Sequence, residues 1–340
     1  MMFYTTVAGW MMCYFWKCLT GDFTAAAMTT EEVAAQFGAL TNNPTPMMFW
    51  AVLATVLSFG ICALGVVNGV ERISKWMMVG LLGLIVVLAV HSLLLPGAGA
   101  GVKFYLVPDF AAMAEQGMGN VIFAAMSQSF FTLSLGIGAM SICGSYKDKS
   151  ASLTGDAVSV TILDTFVALM AGMIIIPACF SFGIEPGSGP SLIFITLPNI
   201  FNQMSGGQIW GTLFFLFMSF AAISTIIAVF ENILSCTIDL WHWSRGKAVV
   251  INTVAMIVLS APCVLGFNVL SGIQPLGAGS GIMDLEDFIV SNNLLPLGSL
   301  VYLAFCVNRY GWGWENFLAE ADAGKGMRFP RWARGYMRFV

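Results

Sequence analysis

The sequence predicts an all-α, multi-pass integral membrane protein, and three observations carry that prediction. Apolar residues make up 58% of the 340-residue chain and charged residues only 9%, where a soluble domain carries about 25% charged residues. Several apolar stretches reach the roughly 20 residues that a helix needs to cross a bilayer. The lysines and arginines cluster in alternate connections between those stretches, as expected of loops sorted by side of a membrane.

Taken in order, eight spans are read near residues 1–19, 47–70, 76–95, 120–146, 157–183, 209–239, 248–269 and 287–308. Arg72 and Lys75 fall in one connection, Lys147 and Lys149 in a second, and Arg245 and Lys247 in a third. Arg309, Lys325, Arg328, Arg331, Arg334 and Arg338 crowd the segment after the last span. The opposite loops carry mainly Asp22, Glu31, Glu32, Glu185 and Asp284, with Lys103 the exception. By the positive-inside rule the basic side is cytoplasmic. The protein is expected in the cytoplasmic (inner) membrane, with both termini of this chain on its cytoplasmic side. No soluble linker interrupts residues 1–340, so a single polytopic domain is expected.

The fourth span differs from the others. Its segment Ser129-Phe130-Phe131-Thr132-Leu133-Ser134-Leu135-Gly136-Ile137-Gly138-Ala139 sets two glycines, a threonine and two serines inside an apolar stretch. Those residues weaken a helix where hydrocarbon penalises free backbone groups. Secondary transporters use such broken helices to present helix ends and bare carbonyls to substrates and ions. A helix broken at the midplane is the expectation here.

Other chemistries find little support. The eight cysteines (Cys13, Cys18, Cys62, Cys143, Cys179, Cys236, Cys263 and Cys306) show no metal-binding spacing and read as small buried hydrophobes. His91 and His242 are isolated. Trp210, Trp241 and Trp243 fit interfacial belts. Neither a phosphate loop nor a nucleophile elbow occurs, so an enzyme, a resident cofactor and a nucleic-acid partner are not expected. Met1 stands directly in an apolar span, and residues 330–340 resemble the basic approach to a further span. A piece of a longer membrane protein is therefore expected.

Four separated motifs carry a family resemblance: Pro108-Asp109-Phe110, Phe130 to Ala139, Phe194-Ile195-Thr196-Leu197-Pro198 and Phe220-Ala221-Ala222-Ile223-Ser224-Thr225. In order and spacing the chain resembles a bacterial member of the neurotransmitter:sodium symporter family along nearly its whole length. The resemblance implies a leucine-transporter-like inverted-repeat fold. This chain would hold family helices three to ten plus the approach to helix eleven, without the first two.

The resemblance also assigns residues. Tyr4 matches the tyrosine that hydrogen-bonds a substrate carboxylate. Phe131 matches an aromatic gate over the substrate. Ser134, Gly136 and Gly138 line the substrate with Thr225, and Ile137 and Val229 form apolar walls. Thr132 and Asp164 match ligands of a first sodium, and Ala221, Ser224 and Thr225 ligands of a second. Hard cations take oxygen ligands, which these positions supply. Asp287 matches an outer-gate acid, with Gln128 beside it. For Glu231 proton handling and structural pairing both stand open.

The implied function is sodium-driven symport of a small zwitterionic substrate, a neutral amino acid before others, with two sodium ions coupled. The alternative is a truncated or regulatory membrane protein that transports nothing. Asp164 would supply the negative charge that chloride provides in other members, so chloride-independent transport is expected. The lipid bilayer is the expected environment, and the sequence does not set the oligomeric state.

Overall fold

The computed structural model describes residues 1–23, 28–65, 72–145, 147–183 and 189–339. Glu185 and the C-terminal end of the stretch read at 47–70 lie outside the described residues, as do the side chains of Arg72 and Arg338.

Each of the eight stretches read as spans is mainly helical among its described residues. Helix α1 (Met2–Thr20) stops at Gly21, whose φ of 84° lets the Gly21 and Asp22 amides bond the Cys18 and Lys17 carbonyls at 3.1 and 2.9 Å. Glu32, read from sequence as a loop residue, forms with Thr29 a capping box that starts α2 (Thr30–Thr41). Asn43 caps α3 (Pro44–Ala63), where proline suits the first helical turn. Helix α4 (Arg72–Leu93) is followed by α5 (Ala98–Leu106), and the apolar helices Met78–Leu93 and Ala98–Leu106 meet at 117°. The Pro108-Asp109-Phe110 motif has a local role: Asp109 accepts the Ala111 and Ala112 amides, both at 3.0 Å, and caps α6 (Phe110–Gln116).

The broken helix consists of α7 (Met118–Thr132) and α8 (Ala139–Ser145). After it come α9 (Leu153–Phe182), a π-helical turn at Leu192–Thr196, α10 (Leu197–Gln203), α11 (Gly207–Trp241) and α12 (Arg245–Leu265). The chain closes with α13 (Ile282–Ile289), a second π-helical turn at Val290–Leu294, α14 (Leu295–Val307), α15 (Trp314–Ala321) and α16 (Ala333–Phe339). No strand occurs among the described residues.

Five helical segments are long and apolar enough to cross a bilayer: α3, α9, α11, α12 and Ile282–Val307, with the bent α4–α5 pair a sixth. The remaining two stretches differ for physical reasons. Helix α7 is stopped at 15 residues by the break. Helix α1 carries Tyr4, Thr5, Thr6, Trp10 and Lys17 and buries ten of its residues, so neighbouring protein shields it and uniform apolarity is not required.

The chain divides into two compact units, Met1–Pro108 with Val167–Glu286, and Asp109–Phe166 with Asp287–Val340. In the first, α1, α3, α11 and α12 pack against one another. Small residues set their spacing. A Cβ on Gly9 would stand 2.7 Å from the Ala51 amide nitrogen, and Ala8, Ala51 and Ala54 are buried at the same crossing. Lipid supplies no hydrophobic drive between helices, so close backbone approach of this kind is what holds them.

The Phe194-to-Pro198 motif fills that unit's aromatic centre. Phe194 is fully buried and stacks on Phe37 at 5.4 Å, with Trp10 and Tyr14 meeting it edge-on at 5.5 and 5.0 Å. In the second unit α14 packs against α7, α15 and α16.

Candidate functional site

The break in the second unit follows from the sequence residue by residue. Helix α7 ends in a Schellman arrangement, with the Ser134 amide bonded to the Phe131 carbonyl at 3.1 Å and the Leu135 amide to the Phe130 carbonyl at 3.0 Å. Ser134 takes the left-handed position at φ 53°, where glycine is the usual residue. Gly136 and Gly138 follow at 79° and 88°. Three left-handed residues within five prevent the helix from resuming before Ala139.

Close packing holds the break open. A Cβ on Gly136 would stand 2.9 Å from the Ser299 amide nitrogen, and one on Gly298 would stand 2.5 Å from the Gly136 carbonyl oxygen. The backbone of the break therefore lies directly on α14. A cavity of about 330 Å³ opens beside it, lined by Ser134, Gly136, Gly138, Ser141, Ser299 and Tyr302 among others. Phe131 and Ile137 are half-buried and Thr132 is exposed. The Thr132 hydroxyl leans on the Ser129 carbonyl at 3.5 Å, the limit of a hydrogen bond. Asp164, half-buried in α9, belongs to this unit.

In the first unit the candidate oxygens sit on an unbroken helix. Ser224 and Thr225 of α11 both donate to the Ala221 carbonyl, at 2.8 and 3.1 Å, which gathers three oxygens within one turn. Ala222, Ile223, Ile226 and Ile227 are buried, while Ala221, Ser224, Thr225 and Ala228 form a half-buried stripe at helical spacing. The Tyr4 phenol of α1 lies close to the Thr225 hydroxyl of α11. Val229 is buried one turn further on.

The two gate candidates, Gln128 and Asp287, are both exposed. Asp287 accepts a hydrogen bond from the Ser291 hydroxyl at 2.8 Å, and the Ser127 hydroxyl donates to the Ser291 carbonyl at 3.2 Å and to Asn292 Oδ1 at 3.0 Å. These contacts tie α7 to the π-helical turn after α13.

Geometry chooses between the two readings of Glu231. Its buried carboxylate receives Arg245 Nη2 and Nη1 at 2.7 and 3.1 Å, and Arg245 Nε also donates to the Cys62 carbonyl at 3.0 Å. Structural pairing, binding α3, α11 and the start of α12, accounts for this acid. The cysteines need a correction. Cys13, Cys18, Cys62, Cys179 and Cys263 are buried, but Cys143 and Cys236 are exposed and Cys306 is intermediate. The exposed two lie on helix faces that their own units leave uncovered.

Sequence reading missed three features. Gly298 and Ser299 of α14 seat the break, but nothing local marks them. Glu286, next to Asp287 in the chain, lies near Cys263 with its Oε2 buried and without a hydrogen-bond partner among the described residues. Thr5 and Ser260 share a buried hydrogen bond of 3.1 Å between α1 and α12, visible beforehand only as two hydroxyls in apolar stretches.

A discontinuous helix in a chain of membrane-length apolar helices, with clustered hydroxyls on another helix, is the construction of a secondary transporter. The chain belongs to the Sodium:neurotransmitter symporter family, whose model matches residues 38–339. It is 31% identical over 346 aligned residues to an uncharacterized sodium-dependent transporter of Haemophilus influenzae, covering 100% of this chain and 73% of that protein. With the uncharacterized sodium-dependent transporter YhdH of Bacillus subtilis it shares 33% identity over 303 residues, 89% of this chain and 65% of that one. Among solved structures, MhsT in complex with L-phenylalanine matches at a TM-score of 0.89 and 37% identity, over 99% of this chain and 75% of that chain. The leucine-transporter-like fold implied by the motifs is the fold present, in a multi-pass membrane protein of a sodium-dependent transporter family.

Proposed function

We propose that this chain carries binding elements for sodium and substrate in a sodium-coupled symporter of neutral amino acids. The observation that carries the reading is the triad of oxygens at Ala221, Ser224 and Thr225, with Tyr4 close beside Thr225. A sodium ion there needs only a rotation of two hydroxyls, so that their hydrogens leave the Ala221 carbonyl and its oxygen and the hydroxyl lone pairs face the cation. Tyr4 donates to the substrate carboxylate without adding charge. In the second unit Thr132 and Asp164 hold the first sodium. The break at Ser134 to Gly138 lines the substrate, Phe131 closes over it, and Ile137 and Val229 form its apolar walls. Asp287 and Gln128 serve the outer gate. Residues 1–340 act as one transmembrane domain with both ends of the chain cytoplasmic, in the inner membrane. Phenylalanine, which MhsT binds, is the first substrate to try.

The test is binding of labelled phenylalanine and other neutral amino acids to the purified chain in sodium chloride and in choline chloride. Binding should require sodium and rise with its concentration. Equal binding in choline would remove the coupling role from these residues. Uptake into liposomes then separates the symporter from the alternative, a membrane protein that binds but does not transport. Replacing chloride by gluconate should leave the activity intact, because Asp164 supplies the negative charge; abolished activity would remove that role from Asp164.

A further inference from the structure

Beyond the transport elements, we propose that the segment after α14 holds a binding site for the phosphate headgroup of an anionic lipid. It forms a cavity of about 630 Å³ whose lining includes Trp314, Glu315, Asp322, Arg328, Arg331 and Arg334. The ion pairs among the described residues are Lys147–Asp156 and Arg245–Glu231; none of the three cavity arginines takes part. Neither acid of the cavity pairs with them, and three guanidinium groups outnumber its two carboxylates. Asp322 Oδ1 accepts the Phe329 amide at 2.7 Å, and Glu315 makes no ion pair. Arg334 is steadied by the Trp314 ring, 5.9 Å from its guanidinium carbon. Planar guanidinium forks suit phosphate oxygens through paired charge-assisted hydrogen bonds.

Two further observations point to a lipid as the source of that phosphate. Tyr310, Trp332 and Tyr336 are 89%, 78% and 65% exposed in the segment that follows a helix of membrane length, and exposed aromatics of this kind belong at the bilayer interface. In addition, α15 separates the basic cavity from an apolar one of about 550 Å³, lined by Leu153, Val158, Ile162, Trp312, Phe317 and Phe329 among others. A charged cavity and an apolar cavity on either side of one short helix match the two chemistries of an amphiphile. Basic clusters beside a membrane helix attract anionic lipid by about a factor of five per arginine.

The experiment titrates the purified, delipidated chain with phosphatidylglycerol or phosphatidylcholine and counts bound lipid by native mass spectrometry. Phosphatidylglycerol should bind roughly fivefold more tightly, the factor for the one positive charge by which the three arginines exceed Glu315 and Asp322. Changing Arg328, Arg331 and Arg334 together to Gln should abolish the preference, while changing them to Lys should keep most of it. Equal binding of the two lipids, or a preference that survives the Gln changes, overturns the proposal. Displacement of phosphatidylglycerol by millimolar inorganic phosphate would make it a free-anion site and also overturns it. Should the Gln variant fail to fold, a photoactivatable phosphatidylglycerol answers with the unaltered chain. Crosslinks should fall within residues 310–336, and crosslinks confined to other segments reject the site.

Discussion

The two units present oxygen atoms by different constructions. In the first, α11 runs unbroken for 35 residues, and Ser224 and Thr225 lay their hydroxyls over the Ala221 carbonyl. The backbone gives up nothing, and the donors are side chains. In the second, the helix itself is interrupted, with Ser134, Gly136 and Gly138 in left-handed conformations. Its carbonyls and amides become available only because α14 packs against the break through Gly298 and Ser299. A hydroxyl stripe is cheap and adaptable, whereas a broken helix depends on its neighbour. The first construction should therefore lose function without losing fold, and the second should lose both together.

The largest effect is expected at the break. Gly136→Val forces a side chain into a left-handed position against Ser299, and strain plus overpacking should destabilise the protein by about 4 kcal/mol. Thermal unfolding in detergent should show it, together with lost substrate binding. Unchanged stability would mean that the break does not rest on α14. Next comes Arg245→Gln, which takes the bidentate partner from buried Glu231 and should cost about 3 kcal/mol. Restored stability in the double variant with Glu231→Gln would assign that loss to the stranded charge.

The third test addresses the intact helix. Ser224→Ala with Thr225→Ala should shift stability by no more than about 1 kcal/mol, since both hydroxyls donate back to their own helix and only Thr225 also lies beside Tyr4. Half-maximal sodium for substrate binding should nevertheless rise about tenfold, or about 1.4 kcal/mol. A large drop in melting temperature would erase the contrast between the units. The smallest effect is expected at Ser134→Gly, which relieves a left-handed serine and should stabilise by about 1 kcal/mol. Circular dichroism melts can resolve that gain, and a loss would show that the Ser134 hydroxyl supports the break.

Much of the contrast was legible in advance for physical reasons. Thr132, Ser134, Gly136 and Gly138 disturb an apolar helix within seven residues, so the break was readable locally. Ser224 and Thr225, one turn after Ala221, were readable as hydroxyls at helical spacing. Gly298 and Ser299 were not, because a glycine and a serine in an apolar helix announce nothing until the opposing chain is known. Glu231 was ambiguous for the same reason: its partner Arg245 lies 14 residues away, beyond the next turn of the chain.

Sequence by itself determined the membrane class, the helical stretches, the position of the break and the family, because hydropathy, glycine placement and motif order are properties of neighbouring residues. Only the tertiary structure decided what seats the break, how Glu231 is neutralised, that Tyr4 meets Thr225, and that Arg328, Arg331 and Arg334 share one cavity without carboxylate partners. Those depend on which distant helices touch, and a linear pattern of apolar residues is nearly the same for every arrangement of helices that satisfies the bilayer.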